Sequence, residues 1–410
     1  MKASRLLVTG IGELCTCDPA QGAAPGILRD AAVLAGGPTI TWVGPEAELP
    51  DELRRSATET IDAGGACVIP GFVDAHTHLV FAGSRADEFA ARAAGESYLA
   101  VGAEGGGIAS TVRATTIATD EGLRETLRRR LDAATARGTT TVEVKTGYGG
   151  GVADELRLLD VIVELASSRR GSAGASITPT FLALHGHPPG GDEDHVAGVL
   201  AAIPQLLGRT AFVDVFCDPA GWDVESCARV LHAAEEAGLG LKVHAEQTAR
   251  TGGAMLAAQY GAASADHLEH ATREDAVALA GAGVVGVLLP GTTLSMRSQP
   301  PDARMLAAAG VELALATDCN PGTSYTLDMR LVVALGVGLL GLTPAEALVA
   351  ATRGGASALD LDDRGALSPG RRCDLVVLDA DTHVDVAYRL GDVRVTRVFV
   401  QGAEVALPGE

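Results

Sequence analysis

Between residues 68 and 320 the chain repeats one pattern eight times: a short, almost continuous apolar run, then a longer stretch that connects it to the next. The runs cover 68–75, 139–145, 177–184, 212–216, 239–244, 264–269, 284–289 and 312–317. Segments 120–137, 153–168, 224–237 and 302–309 between them have helical spacing. A strand that is apolar on both faces has to be covered on both, as in a parallel sheet flanked by helices. Eight such units in one chain predict an α/β fold of the (β/α)8 TIM-like barrel type rather than an open sheet.

The flanks read differently. Residues 1–67 hold extended segments at 6–9, 39–44 and 58–61 between Gly and Pro turns, and the C-terminus repeats that character at 374–379, 393–400 and 404–407. Neither end is long enough to bury a core alone. They are expected to join as one small β domain, with 1–67 and 366–410 as its two parts and 68–365 as the barrel. Hydrophobic residues make up 47% and charged residues 20%, which supports a large core and excludes a disordered chain.

Lys plus Arg number 32 against 52 Asp plus Glu, a net charge of −20. That field repels phosphate backbones and anionic bilayers, so neither nucleic acid nor membrane is expected as a partner. An anionic substrate would need a local cationic site. The seven scattered cysteines, without a CxxC pair, fit a reducing compartment rather than a disulfide framework, and Cys15 and Cys17 read as buried thiols. The apolar stretch 6–12 is too short for a secretory signal. The longest uncharged run, 276–296, could span a bilayer by count alone, but its glycines and Pro290 suit a helix end, a short buried strand and a loop. A cytoplasmic location is expected.

The chemistry is written at the ends of the runs. The first closes on Asp74-Ala75-His76-Thr77-His78. Alternate residues of a strand point the same way, so His76 and His78 can face one metal ion. The fifth run ends in Lys242-Val243-His244-Ala245-Glu246-Gln247, the sixth holds Ala265-Asp266-His267 and the eighth ends in Ala316-Thr317-Asp318. Barrel active sites lie at the carboxyl ends of the strands. Polar groups at four such ends, each after an apolar run, are not what core packing asks for.

On these motifs the chain resembles the metal-dependent amidohydrolase superfamily: HxH on the first strand, His on the fifth and sixth, Asp on the eighth. Further stretches are similar to the branch that opens an imidazolone ring in histidine degradation. They are Leu79-Val80-Phe81-Ala82-Gly83-Ser84-Arg85, Glu96-Ser97-Tyr98, Gly105-Gly106-Gly107-Ile108, Val144-Lys145-Thr146-Gly147-Tyr148-Gly149 and Cys319-Asn320-Pro321-Gly322-Thr323. The resemblance implies one zinc or iron ion held by His76, His78, His244 and Asp318. It also implies a homodimer, and a reaction in which 4-imidazolone-5-propanoate and water give N-formimidoyl-L-glutamate.

Such a reaction asks for a nucleophile at neutral pH, a polarised ring carbonyl and a cation for the carboxylate tail. A metal ion supplies the first two. His267 and Asp318 are then the expected catalytic pair, His267 stabilising the oxyanion and Asp318 passing a proton to the departing nitrogen, alone or with His267. The resemblance places Arg85, Tyr148, His185, Gln247, Asn320, Gly322 and Thr323 around the substrate, with Tyr98 as a further contact. Arg85 suits a two-pronged bond to a carboxylate. Gly322 and Thr323 precede a helix expected from Leu327, where free N–H groups would attract an anion. Tyr148 sits in a Gly-flanked turn. Gln247 stands where some relatives have Glu; it cannot act as a base, so its role is hydrogen bonding.

Lys145 raises the question of a carbamylated bridge between two metals. A lysine in that role belongs on the fourth strand, whereas Lys145 falls on the second, so an ion pair and one metal are expected. His187 is expected on a solvent-facing loop, His270 behind His267, and Cys319 as a packing residue. Two other functions compete: a purine or pyrimidine hydrolase or deaminase on the same scaffold, and a barrel that has lost its reaction. Arg85 and Asn320-Pro321-Gly322-Thr323 favour a carboxylate-bearing ring, and the intact ligand set speaks against an inert scaffold.

Overall fold

The computed structural model describes residues 4–95, 106–171, 173–188 and 191–407. Strands β1 (Arg5–Cys15), β2 (Ile27–Gly36), β3 (Thr39–Pro45), β4 (Glu59–Asp62) and β5 (Cys67–Pro70) come first. The barrel strands are β6 (Phe72–Asp74), β7 (Thr139–Lys145), β8 (Ser176–Leu184), β9 (Phe212–Cys217), β10 (Gly240–Ala245), β11 (Ser264–His267), β12 (Val285–Leu288) and β13 (Leu313–Leu315). β14 (Leu375–Leu378), β15 (Val395–Val400) and β16 (Ala403–Glu404) close the chain. From β6 to β13 each strand pairs with the next, all parallel, as the eight apolar runs predict. The other sheet runs β16-β15-β14-β5-β1-β2-β3, with β4 beside β1, so both ends of the chain share it.

The first apolar run, 68–75, is divided between the two sheets. The N–H of Gly71 donates to Asp374 O at 2.9 Å, on the side of the terminal sheet, and that of Phe72 donates to Gly138 O at 3.0 Å, beside the barrel. A β-carbon at 71 would lie 2.2 Å from Thr140 Oγ1, so glycine permits the crossing. Both halves are buried, and hydrophobicity alone therefore carries no mark of the break. The run 276–296 also differs in its last part. It holds a helix end, β12 and, where a loop was expected, a helix over Pro290–Met296 with proline in its first turn. Among the described residues no helix is long and apolar enough to cross a membrane. All seven cysteines are buried and free.

β6 and β13 do not pair along their length, and the gap is closed in two ways. At the amino ends the helical segment around Gly354 and Gly355 packs so closely that a β-carbon would come within 2.1 Å of Leu313 O and 2.4 Å of Val73 O respectively. At the carboxyl ends Asp318 N–H donates to His76 O and His78 N–H donates to Cys319 O, both at 3.0 Å. The residues that complete the barrel are thus those that the sequence marks for chemistry.

The closure yields a paired prediction. Gly354→Ala forces backbone apart and should lower unfolding free energy by about 2–3 kcal/mol. Gly338→Ala, on the helix Met329–Leu340 with nothing within 4 Å, should raise it by about 0.5–1 kcal/mol. Urea titration of both variants checks this; equal effects would refute the role given to Gly354.

Candidate active site

Three imidazoles and one carboxylate converge where β6, β10 and β13 end. His78 Nε2 lies 3.3 Å from His76 Nε2 and 3.4 Å from His244 Nε2. Asp318 Oδ1 lies 3.6 Å from His76 Nε2 and 3.5 Å from His78 Nε2. His76 Nδ1–H donates to Asp266 Oδ2 at 2.5 Å and His244 Nδ1–H donates to Asp214 Oδ1 at 3.1 Å. Those two bonds leave the Nε2 atoms of His76 and His244 as bare lone pairs. Asp318 Oδ1 is buried without a hydrogen-bond partner, while Oδ2 accepts from Thr292 Oγ1 at 2.5 Å.

Lone pairs gathered this closely repel one another unless a cation lies among them. Ligand bonds of 2.0–2.1 Å in a tetrahedron set the donors about 3.4 Å apart, which is the spacing found here. Burial, reinforced by Lys145 and the neighbouring imidazoles, holds His76 well below the ordinary histidine range. Burial and then His185 and His244 do the same to His78. Neutral imidazole is the form that ligates. The donor set fits one metal ion.

Behind the ligands stands Lys145. Its Nζ is 2.7 Å from Asp214 Oδ2, 3.0 Å from Glu143 Oε2 and 3.5 Å from Asp266 Oδ2, with all four side chains fully buried. Asp214 and Asp266 are the carboxylates that orient His244 and His76. Lys242 Nζ shares Glu143 Oε2 at 3.1 Å and donates to Ala75 O at 3.0 Å. Burial works against the Lys145 ammonium, but Asp214, Glu143 and Asp266 outweigh it and its pKa stands above the ordinary lysine value. The ion pair expected for Lys145 is present, and a protonated amine is not the free base that carbamylation requires.

A cavity of about 450 Å³ opens over this centre, lined among others by His78, His244, His267 and Asp318. Arg85, Tyr148, His185, Gln247, Asn320 and Thr323 also line it. Gly322 is absent from the wall but gives Arg85 its room: a β-carbon there would be 2.1 Å from Arg85 Nη1. Glu88 holds Arg85 from the other side, through Nε and Nη2, each at 2.8 Å. Tyr98 lies outside the described residues. Cys319 is buried, in keeping with a packing residue, and His187 is half-exposed, with Nδ1 facing the acceptor Asp192 Oδ1 and Nε2 the acceptor Gly221 O, each at 2.8 Å.

Other carboxylates fix the loops that carry these groups. Glu155 accepts the N–H groups of Gly147 at 2.6 Å and Gly149 at 2.5 Å, which pins the turn bearing Tyr148. His185 Nδ1 meets Gly147 O at 2.7 Å, and its ring stacks on His78 with centroids 5.5 Å apart. Glu246 accepts from the N–H groups of Thr251, Gly252 and Ala254 and so holds the turn bearing Gln247. Glu269 Oε2 faces His267 Nδ1 at 3.6 Å, both buried and neither otherwise bonded. Burial opposes a charge on His267, yet Glu269 lifts its pKa above the ordinary histidine value. Glu246, His267, Leu268 and Asp318 all have positive φ, backbone strain concentrated where chemistry is expected.

Two readings of the sequence change. The helix expected from Leu327 starts at Met329, because Asp328 accepts from Arg330 N–H and caps it. The N–H groups of Gly322 and Thr323 are not open to an anion either, since both donate to Asn320 Oδ1 at 2.8 Å. An asparagine two and three residues upstream competes at no loop-closure cost, and wins. Sequence reasoning missed Glu143, Glu155, Asp214 and Glu269 as parts of the site. The available signal was a charged residue inside an apolar run, at 143 and 214, where no surface is within reach.

The barrel, the strand-end ligand set and the sheet shared by both termini define a metal-dependent amidohydrolase. Profiles of the amidohydrolase family match residues 216–405 and 59–107. Imidazolonepropionase of Salinispora arenicola is 46% identical over 407 residues, covering 99% of this chain and 100% of that protein. That of Streptomyces coelicolor is 41% identical over 406 residues, covering 98% and 99%. The chain belongs to the imidazolonepropionase family. Among solved structures, an adenosine deaminase from Xanthomonas campestris with bound zinc superposes with a TM-score of 0.75 at 21% identity, covering 98% of this chain and 92% of that one. Ochratoxinase of A. niger gives 0.73 at 20% identity, covering 100% and 97%. Both show the same fold.

His185 supplies a pH test. Burial, the largest influence, holds it down to about 4 from 6.5. As pH falls from 6.5 to 4, the unfolded chain takes the proton that the folded chain refuses, so stability falls through that window. His185→Gln should flatten the fall in unfolding free energy by up to about 3 kcal/mol at the acid end. A profile superimposable on that of the unsubstituted chain would contradict the environment described for His185.

Proposed function

We propose that this chain hydrolyses the ring amide of 4-imidazolone-5-propanoate to N-formimidoyl-L-glutamate, a step of histidine degradation, as a cytoplasmic homodimer. The end-to-end likeness to imidazolonepropionases carries the reading, and it coincides here with an intact donor set beneath a cavity of about 450 Å³. A single ring with a short acidic tail suits that volume. Free, buried thiols throughout suit a reducing compartment.

His76, His78, His244 and Asp318 would hold one zinc or iron ion, since imidazoles with a carboxylate suit both. Bound there, such an ion would lower the pKa of a water toward about 7 and polarise the ring carbonyl. The chain's own residues do the rest. Arg85, steadied by Glu88, takes the propanoate carboxylate with two parallel N–H bonds, a local cation in a chain of net charge −20. Asn320 holds the turn of Gly322 and Thr323, in which Gly322 leaves that guanidinium its room. Tyr148 and His185 flank the ring, and Gln247 hydrogen-bonds to it without taking a proton.

His267, with Glu269 behind it, donates a hydrogen bond to the carbonyl oxygen as charge gathers there. Asp318, pushed up by burial, accepts a proton from the attacking water and returns it to the ring nitrogen. The new C–O bond and the broken C–N bond thus leave a carboxylate and a protonated formimidoyl nitrogen. Asp318 has both duties, ligand and shuttle, through a carboxylate whose Oδ2 is already fixed by Thr292.

Supplying the substrate in place with urocanate hydratase and following its ultraviolet absorbance tests the proposal. We expect the absorbance to fall with the metal-loaded chain, not with a chelator-stripped sample, and to fall again once metal is restored. Arg85→Met should raise KM by about tenfold or more with little change in fold, and Asp318→Asn should lower kcat by about a hundredfold or more. No turnover by a folded, metal-loaded sample would overturn the substrate assignment. Turnover of neutral purines or pyrimidines in its place would mark a different ring hydrolase.

A further inference from the structure

At the end of the barrel opposite the ligand set lies a second, larger cleft of about 620 Å³. Its walls are the start of β8, the turn before β9 and the segment that leads from the barrel into the terminal sheet. The charged side chains that line it are Arg169, Arg170, Arg209, Arg364 and Arg372, with no carboxylate among the lining residues. In a chain of net charge −20 that clustering runs against the whole surface.

The guanidiniums are held from outside the cleft. Arg169 pairs with Asp132, Arg209 with Asp160, Arg364 with Asp363 at 2.7 Å and Arg372 with Asp374 at 2.9 Å, and none of these carboxylates lines the cleft. Such pairing fixes the forks in place; Arg209 also donates to Gln205 O and Leu156 O, each at 3.3 Å, and Arg364 to Thr141 Oγ1 at 3.2 Å. Arg170 has no ion pair among the described residues, and Arg372 Nε is buried without a hydrogen-bond partner. Thr178 and Gln401 add neutral polar groups to the wall.

We propose that this cleft binds a compact multivalent oxyanion, a small molecule carrying phosphate or carboxylate groups. Planar forks match the paired oxygens of either group, and five of them in one concave site give what a scattered basic surface does not. The site joins the base of the barrel to the segment carrying Arg364 and Arg372, so an occupied cleft ties the two parts together and stabilises the folded chain by mass action. It is separate from Arg85 and the reaction centre at the other end.

The test uses the full-length, metal-loaded protein with inorganic phosphate and malonate as probes, each against sodium chloride at matched ionic strength. Calorimetry and the thermal midpoint are read together. We expect saturable, one-site binding of at least one probe with a rise in midpoint, weakened roughly tenfold or more in an Arg170→Ala/Arg209→Ala variant and unchanged in Arg85→Ala. Phosphate binding more tightly than malonate identifies a phosphate-bearing ligand, and the reverse a carboxylate. Circular dichroism establishes that the double variant is folded. The proposal is overturned if neither probe saturates beyond the chloride control, or if Arg85→Ala abolishes binding that the double variant retains.

Discussion

The ammonium of Lys145, sealed inside the barrel among Asp214, Glu143 and Asp266, is the charge on which the rest of the site depends. Removing a charge from water costs several kcal/mol even after relaxation, and only close, well-satisfied partners offset it. Here the partners have a second duty. Asp214 and Asp266 accept the Nδ1–H of His244 and His76, and although burial opposes it, His244 and the nearby ammonium hold the Asp214 carboxyl well below the ordinary aspartate range. The tautomer of each imidazole, and with it the direction of each Nε2 lone pair, traces back to one lysine on β7.

The same economy appears in how the barrel closes. β6 and β13 meet through backbone bonds at His76, His78, Asp318 and Cys319 rather than along their strands. Assembly of the ligand set and closure of the fold are therefore one structural event. Gly354 and Gly355 complete the seal at the far end. Strained backbone at His267 and Asp318 is supported by this framework, in the way that functional sites are generally supported by rigid elements around them.

Much of this was legible in the sequence because of where strand ends fall. Parallel strands covered on both faces read as continuous apolar runs, and a histidine or aspartate just past such a run has few structural reasons to be there. That logic singled out His76, His78, His244, His267 and Asp318, which the structure brings together at one end of the barrel. It did not find β2, whose polar amino-terminal half resembles a loop, nor the division at Gly71 between two equally apolar halves. The carboxylates behind the ligands were harder still. Lys145 and Asp214 are 69 positions apart, and their contact exists only once β7, β8 and β9 are side by side. Asn320 was legible as a site residue but not as the acceptor that closes its own turn, a local competition that motif reading does not weigh.

The central claim is that Lys145 sets the metal-binding geometry through two carboxylates it does not share with the metal. Its most direct test is the affinity of one metal ion for the full-length chain with Lys145→Met, measured by competition with a chromophoric chelator and scaled to the folded fraction from circular dichroism. We expect a folded but less stable chain whose affinity falls by about 10–100-fold, the loss typical when groups that orient metal-bound histidines are removed. Unchanged affinity in folded Lys145→Met protein would contradict this dependence and show that His76 and His244 are aimed without the lysine.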